Sequence, residues 1–425
     1  MSIMEDGGEK LGVRFAEKTR KPCLSQQGLG DAVARATIEA YESHLKEDER
    51  CGLRQRVLAS VVAVDSRGEV RVLSYGLGTK VAQLALIASD AQGLALRDCH
   101  AEVLARRGFL RYCYDGGEMK ADERLVIYSS SMPCGNATIK RWAKTVRSSD
   151  PTGPHGAFHV FAEGQVDLLL KKHPDDTTHA NGPAWLPSGC LPLHSTTTPT
   201  TSAKITKTSP PSPTTTAKKM SASPSHCCSD KIARWVALGL QGSLLSGVSG
   251  PLRVSAIVVG RKFSYEHARR AFCCRIKGLP ASDHPALLGT TVKLDDGLYR
   301  DPCQGAVFDD DVRAWWATLE GENPEVIDGR TGRLKRHGRP SRLCKRALAD
   351  AWRALQTTTK DNETKPLEEK NDQACLSYSD AKIRFASDAY RLKRLAFFNH
   401  PPFDAWLFAP REHFPFFLPL PEKTL

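Results

Sequence analysis

His100, Ala101 and Glu102 stand where an extended-looking stretch gives way to a helical pattern in "RDCHAEVLARRGFLRY" (97–112). An imidazole two residues from a carboxylate can be a metal ligand beside a proton carrier, or an ordinary surface pair on a helix. Pro133-Cys134-Gly135 follows the apolar run "RLVIYSSS" (124–131), and proline suits the first turn of a helix. A thiol near a helix N-terminus gives up its proton more readily, because the partial positive charge there favours thiolate. Thiolate and neutral imidazole are the ligands zinc prefers, and a catalytic zinc needs three protein ligands and one open position. The pattern H-x-E followed by P-C-x-x-C would supply the third ligand three residues after Cys134, but Ala137 stands there. The next cysteines downstream are Cys190, Cys227 and Cys228. The Cys227-Cys228 pair directly precedes the amphipathic stretch "SDKIARWVALGLQGSLL", whereas Cys190 lies in a proline-rich loop. A ligand must be held rigidly, so the Cys227-Cys228 junction is favoured. The residues alone do not choose between the two thiols.

Alternating strands and helices must carry these groups. Residues 28–47 show helical spacing of Val33, Ile38, Tyr41 and Leu45, with Asp31 as a cap. "RVLASVVAV" and "EVRVLSYGLG" flank "DSRG" and predict a β-hairpin. A helix is expected over 100–113, a buried strand over 124–131, and a helix from Pro133 through Lys140 and Trp142. "AFHVFAEG" (157–164) and "VSAIVVG" (254–260) read as strands. Helices are expected over about 229–245, 265–276 and 341–355, and one long helix over 379–398. This alternation argues an α/β sheet layered with helices, the later helices being additions around it.

The formal charge is +12. Residues 195–225 hold Lys204, Lys207, Lys218 and Lys219 and no acid, and "GRTGRLKRHGRPSRLCKR" (329–346) holds eight basic side chains and no acid, so these two segments equal the whole excess. A localised basic segment is a footprint for a polyanion, or else a solvated loop. Residues 195–225 have too few apolar groups to offset the entropy of ordering and are expected to be a disordered insert. Residues 357–374 read as a second, polar insert. The 13 cysteines lack the dense spacing of a secreted scaffold, so most are expected as thiols. No apolar run reaches about 18 residues, which argues against a membrane span. With no signal-peptide core in "MSIMEDGGEKLGVRF", an intracellular protein is expected, in cytoplasm or nucleus.

"DCHAE", "PCG" and "CSDKIARW…GLQGSLLS" resemble, in this order, the adenosine deaminases that act on RNA, and "GRPSRLCKRAL" is similar too. The resemblance runs in patches from about 55 to 410. It implies a cytidine-deaminase-like three-layer α/β/α sandwich with additional C-terminal helices. It implies one editase domain over 1–425, its core at about 28–420. It implies zinc held by His100, Cys134 and Cys228, because the family's third ligand immediately precedes Ser-Asp-Lys. Glu102 would then shuttle a proton from the attacking water to the adenine ring and help ammonia leave, giving inosine. Thr79 and Lys80, after the hairpin, match a Thr-Lys pair that contacts the target nucleotide. No segment before residue 55 is long enough for a double-stranded-RNA-binding domain. The expectation is therefore the tRNA-acting branch of the family, which modifies adenosine 37 beside the anticodon of alanine tRNA. The expected partner is that anticodon stem-loop, bound by a monomer without an obligate protein partner. Duplex or messenger RNA editing is the alternative, followed by a non-catalytic zinc-containing RNA-binding module.

The same resemblance implies a buried inositol hexakisphosphate. Its matching positions are Arg106, Arg107, Lys231, Arg234, Trp235, Gln241, Tyr378, Lys382, Tyr390, Arg394 and Trp406. Buried cations need such compensation. Arg97, Phe408 and Ala409 depart from the duplex editors' residues.

Overall fold

A computed structural model describes residues 26–44, 57–82, 84–138, 190–192, 222–294, 311–317, 324–360, 375–400, 402–404, 406 and 417–419. The first half contains α1 (Gln26–Glu42), β1 (Leu58–Val64), β2 (Val70–Leu77), β3 (Thr79–Val81), α2 (Leu84–Ser89), β4 (Asp98–His100), α3 (Ala101–Tyr114) and β5 (Arg124–Ser131). Next come β6 (Cys190–Pro192), β7 (Ala222–His226), α4 (Cys228–Leu238), α5 (Gly242–Leu245), β8 (Val254–Arg261), α6 (Tyr265–Arg269) and β9 (Ala286–Gly289). The last part holds β10 (Asp311–Trp316), β11 (Glu325–Asp328), β12 (Arg333–Leu334), α7 (Lys345–Lys360), β13 (Cys375–Ser377), α8 (Tyr378–Arg384), α9 (Asp388–Phe398) and β14 (Phe417–Pro419).

Eight strands form one mixed sheet in the order β12-β11-β10-β2-β1-β5-β8-β9. The β1/β2 hairpin is antiparallel, as are β1/β5 and β10/β2, while β5/β8 and β8/β9 are parallel. Every residue of β1 is buried, which requires cover on both faces of the sheet. The alternation of the strand assigns the faces. Ala59, Val61 and Ala63 join Leu125 and Ile127 against Ala101, Ala105 and Phe109 of α3. Val62 and Val64 join Val126 and Tyr128 against Val33 and Ala34 of α1. The result is the expected three-layer arrangement of helix, sheet and helix. No helix among the described residues is long and apolar enough to cross a membrane.

Three expected helices differ. The helix expected over 229–245 stops at Leu238, because Gly239 turns to φ +87 and closes the end through its N–H to Trp235 O at 2.8 Å. The helix expected over 379–398 is two helices, each started by a serine. Ser377 Oγ accepts from the Asp380 amide and Ser387 Oγ from the Tyr390 amide, so the second hydroxyl opens a new helix where continuation was expected. The third, over 265–276, is α6 followed by a π-helical turn at Arg270–Cys274. After Pro133 the described residues form one 3-10 turn at Asn136–Thr138, and the rest of the expected helix lies outside them. The strand expected at 157–164 and most of the two inserts (195–221 and 361–374) also lie outside the described residues, whereas Ala222–His226 is strand β7 and α7 runs to Lys360.

Candidate active site

β3 and β4 form a short antiparallel ribbon that pairs Thr79 with His100 and Lys80 with Cys99. The ribbon ends where α3 begins, and the Ala101 amide donates to Gly78 O at 2.9 Å. His100 therefore occupies the N-cap of α3, in extended backbone, with Glu102 in the first helical turn. The two-residue spacing thus spans a strand-to-helix junction and sends both side chains into the same buried region.

Ligand atoms of His100, Cys134 and Cys228 all lie within 4.8 Å of one another. The Cys228 amide, at the first turn of α4, donates to Cys134 Sγ at 3.3 Å. Among the described residues it is the N-terminus of α4, and not a helix of its own, that receives the Cys134 sulfur. Ser229 fastens the loop: its amide donates to Cys134 O at 3.0 Å, its Oγ donates to Cys134 O at 2.7 Å, and that Oγ accepts from the Ala137 amide at 3.1 Å. Gly135 is obligatory here. Its φ is +102, and a Cβ would collide with the Cys227 side chain. Cys227 is buried at the N-cap of α4 and lies outside the three-residue group.

The electrostatics suit a cation. The Cys134 thiol is pulled below its ordinary value, first by its hydrogen bond with Cys228 and further by the charge of His100. Cys228 is pushed well up, by burial and then by the neighbouring Cys134 sulfur. Two thiols this close hold one proton between them unless a metal displaces it. Asp98 accepts from His100 Nδ1 at 2.8 Å, leaving Nε2 as the ring nitrogen available to a metal. Burial alone would lower the imidazole, but Asp98 overrides it and raises His100 to about 9. Burial would likewise raise the Asp98 carboxyl, yet Lys231 and His100 hold it far below the carboxylate range. Lys231 Nζ pairs directly with Asp98 Oδ2. Glu102 is 4 % exposed and accepts from Ser129 Oγ at 3.2 Å. Residue type and spacing alone do not single out Asp98, Ser129 and Ser229. The "DCHAE" run and the serines ending β5 carried the only signal, and a carboxylate two residues before a ligand histidine is a recurrent orienting device.

Behind α3 lies a nest of cations. The Arg106 guanidinium sits 5.4 Å from the Trp235 ring centroid, and its buried Nε has no hydrogen-bond partner among the described residues. Burial, then Arg234, depresses Arg106 to about 10. Arg234 lies over Phe398 and Trp406, Arg394 over Phe398, and Lys382 over Tyr378. Tyr390 is lowered against the effect of burial by Arg234 and Arg106. Lys345 is driven well below its ordinary value by burial and by Arg97, Lys382 and Arg107, with Asp90 as the opposing charge. Lys345 and Arg97 thus face the nest and were not among its expected members. Arg107 donates from Nε to Leu343 O at 2.6 Å. Gln241 is spent on the backbone, donating to Leu238 O at 2.8 Å and accepting from the Leu252 amide at 2.9 Å.

The basic segment 329–346 divides in two. Arg330, Lys335, Arg336, His337 and Arg339 are exposed on and around the β11–β12 hairpin, whereas Arg342 pairs with Glu325 and Arg346 with Asp350. The hairpin abuts the segment that leads into β4, since the Leu96 amide donates to Gly332 O at 2.9 Å.

The adenosine-deaminase (editase) domain model matches residues 74–122 and 115–410, and the chain belongs to that family. It is 27 % identical over 335 residues to the double-stranded RNA-specific editase Adar of Drosophila melanogaster, covering 75 % of this chain and 45 % of that protein. To the double-stranded RNA-specific adenosine deaminase of Mus musculus it is 25 % identical over 432 residues, covering 94 % of this chain and 33 % of the relative. It is 29 % identical over 251 residues to the tRNA-specific adenosine deaminase 1 of Drosophila melanogaster, covering 55 % of this chain and 56 % of the relative. The chain therefore spans less than half the length of the first two relatives.

Proposed function

We propose that the protein hydrolytically deaminates adenosine to inosine in RNA, with adenosine 37 beside the anticodon of alanine tRNA as its target. The observation that carries the chemistry is the approach of His100, Cys134 and Cys228 to within 4.8 Å, beside buried Glu102. The donor set of one imidazole and two thiols fits zinc. When bound by these residues, zinc would lower the pKa of a water molecule and make a nucleophile available near neutral pH. Glu102 accepts the proton of the attacking water, passes it to the adenine ring nitrogen, and then assists the departure of ammonia. Ser129 holds the carboxylate toward the reacting base, and Asp98 fixes the His100 ring. Thr79 reads the ribose 2′-hydroxyl and Lys80 a phosphate, roles that their place opposite His100 and Cys99 in the ribbon allows.

A base in an anticodon loop is already largely unpaired, so extruding it costs little. The exposed basic hairpin beside the ribbon offers phosphate contacts to the stem. A second reading, duplex or messenger RNA editing, is favoured by the larger share of the chain that aligns with the duplex-specific relatives. Inosine mapping after incubation with tRNA and with total RNA separates the two. Conversion at the anticodon loop supports the tRNA reading, and conversion spread over duplexes with none in that loop overturns it. Replacement Glu102→Gln is expected to lower inosine formation by about 10²–10⁴-fold while zinc content is kept. An unchanged yield rejects the mechanism.

The cation nest fits inositol hexakisphosphate. Half-buried Arg106, whose buried Nε has no partner among the described residues, lies beside Arg234, Arg234 beside Arg394, and Lys345 beside Lys382 and Arg107, which concentrates positive charge that a multiply charged anion would neutralise. Trp235, Tyr378, Tyr390 and Trp406 wall this region. The anion's contribution is structural: it holds α3, α4 and the C-terminal helices together.

A further inference from the structure

A second group of metal-ligand side chains lies on the segment that braces the catalytic loops. Cys273 and Cys274 end the π-helical turn Arg270–Cys274, and His284 follows the short 3-10 turn Ala281–Asp283. Ligand atoms of these three residues lie within 4.8 Å of one another. The two sulfurs are 4.0 Å apart. Two thiolates on one ion with metal–sulfur bonds near 2.3 Å sit about 3.8 Å apart at a tetrahedral angle and about 4.0 Å at a trigonal one. The sulfurs are thus already spaced for one shared ion.

Adjacent residues of a regular α-helix point about 100° apart and do not face each other. Here two successive thiols at the end of a π-helical turn nonetheless lie side by side, and such turns are rare and concentrate at functional sites. The Arg269 Nε lies 3.1 Å from Cys274 Sγ and favours its thiolate. Cys273 is buried, Cys274 half-buried and His284 exposed, so an ion has a path in from solvent.

We propose that Cys273, Cys274 and His284 form a second metal site, which takes one thiophilic d10 cation, Zn(II) or Cu(I). Soft sulfur with one imidazole selects this class over Mg(II) or Ca(II), which require oxygen ligands. Three ligands leave a fourth position open. The site has a structural lever on the catalytic centre. Arg270 donates to Asn136 Oδ1 at 3.1 Å and to Asn136 O at 2.9 Å, two residues beyond Cys134. Arg275 pairs at 2.6 Å with Asp230, two residues beyond Cys228. An ion at Cys273-Cys274 therefore stiffens the turn that lies between these two braces.

The test uses the reduced full chain, stripped of metal and then dialysed against Zn(II), with bound metal counted per chain. The wild type is expected to hold about two ions, and Cys274→Ser and His284→Ala about one, with inosine formation retained in both variants. These positions are chosen because neither is fully buried. Cys134→Ala is the companion variant: it also loses one ion, but together with activity. Equal zinc in wild type, Cys274→Ser and His284→Ala overturns the Zn(II) arm. The same series with Cu(I) against a competing chelator tests the other arm, and loss of Cu(I) in both variants assigns the site to copper. Equal content in both arms overturns the proposal. If Cys134→Ala alone keeps its full zinc, the catalytic-zinc reading fails and this site stands.

Discussion

In the proposed mechanism His100 acts through Asp98. That carboxylate holds Nδ1, keeps the imidazole protonated up to about 9 in the metal-free site, and is itself held ionised by Lys231. A protonated imidazole cannot ligate, so metal binding must displace this proton. The sign follows. Below about 9 the raised pKa of His100 opposes binding, so zinc affinity rises with pH, and the rise becomes less steep as pH passes through it, Cys228 still having a thiol proton to lose. Asp98→Asn removes the charge that raises His100, leaving burial to lower it, so this break in slope moves to lower pH. The same change removes the orienting carboxylate, and affinity at high pH is expected to fall by about 10–100-fold. Competition with a chelator at several pH values measures both. A variant with unchanged pH dependence would mean that Asp98 does not set the protonation of His100. The grouping of His100, Cys134 and Cys228 was legible in part from residue types, since a thiol, an imidazole and a rigid helix start carry the demands of zinc. The choice of Cys228 over Cys227 was not. It depends on which thiol the start of α4 turns toward Cys134, and adjacent residues differ there by backbone geometry alone.

At the scale of elements, two helix starts and one loop meet at the site. The loop is the least tolerant part, because Gly135 combines a left-handed φ of +102 with a Cβ position taken by Cys227. Gly116 supplies the control: its φ is +87, but no atom lies within 4 Å of its Cβ position. Gly116→Ala should cost about 1 kcal/mol from backbone strain and keep full zinc. Gly135→Ala should cost more than that and also release zinc, because relief of the collision displaces Cys134 from Cys228. Thermal melts and metal analysis of the two variants check this, and equal behaviour would show that strain alone matters. Strand alternation and apolar periodicity revealed the hairpin, the buried β5 and α3. They did not reveal where helices stop. Gly239 and Ser387 end or restart helices through one dihedral angle and one hydroxyl, signals too local for an apolar pattern of the same period to register.

At the scale of the whole molecule, the +12 charge has an interior component. The composition places its excess in two segments, but Arg106 on α3 and Lys345 in the second of those segments are half-buried in the fold and partly desolvated. Local sequence cannot show this, because Arg107 and Lys345 are 238 positions apart and act on one another only through α3 and α7 packing side by side. Lys345 gives a test whose sign depends on what fills the nest. Without an anion, Lys345 is a repelled, desolvated cation, and Lys345→Met should stabilise the fold by removing that repulsion. With a bound polyanion, the same ammonium is a charge-assisted donor, and Lys345→Met should destabilise by about 2–5 kcal/mol. We expect the second outcome in denaturant melts of purified protein, together with about six phosphorus atoms released per chain on denaturation. A more stable Lys345→Met protein that releases no phosphorus would reject the inositol phosphate. The nest would then be a site of stored repulsion, and the cohesion of α3, α4 and the C-terminal helices would rest on their apolar contacts alone.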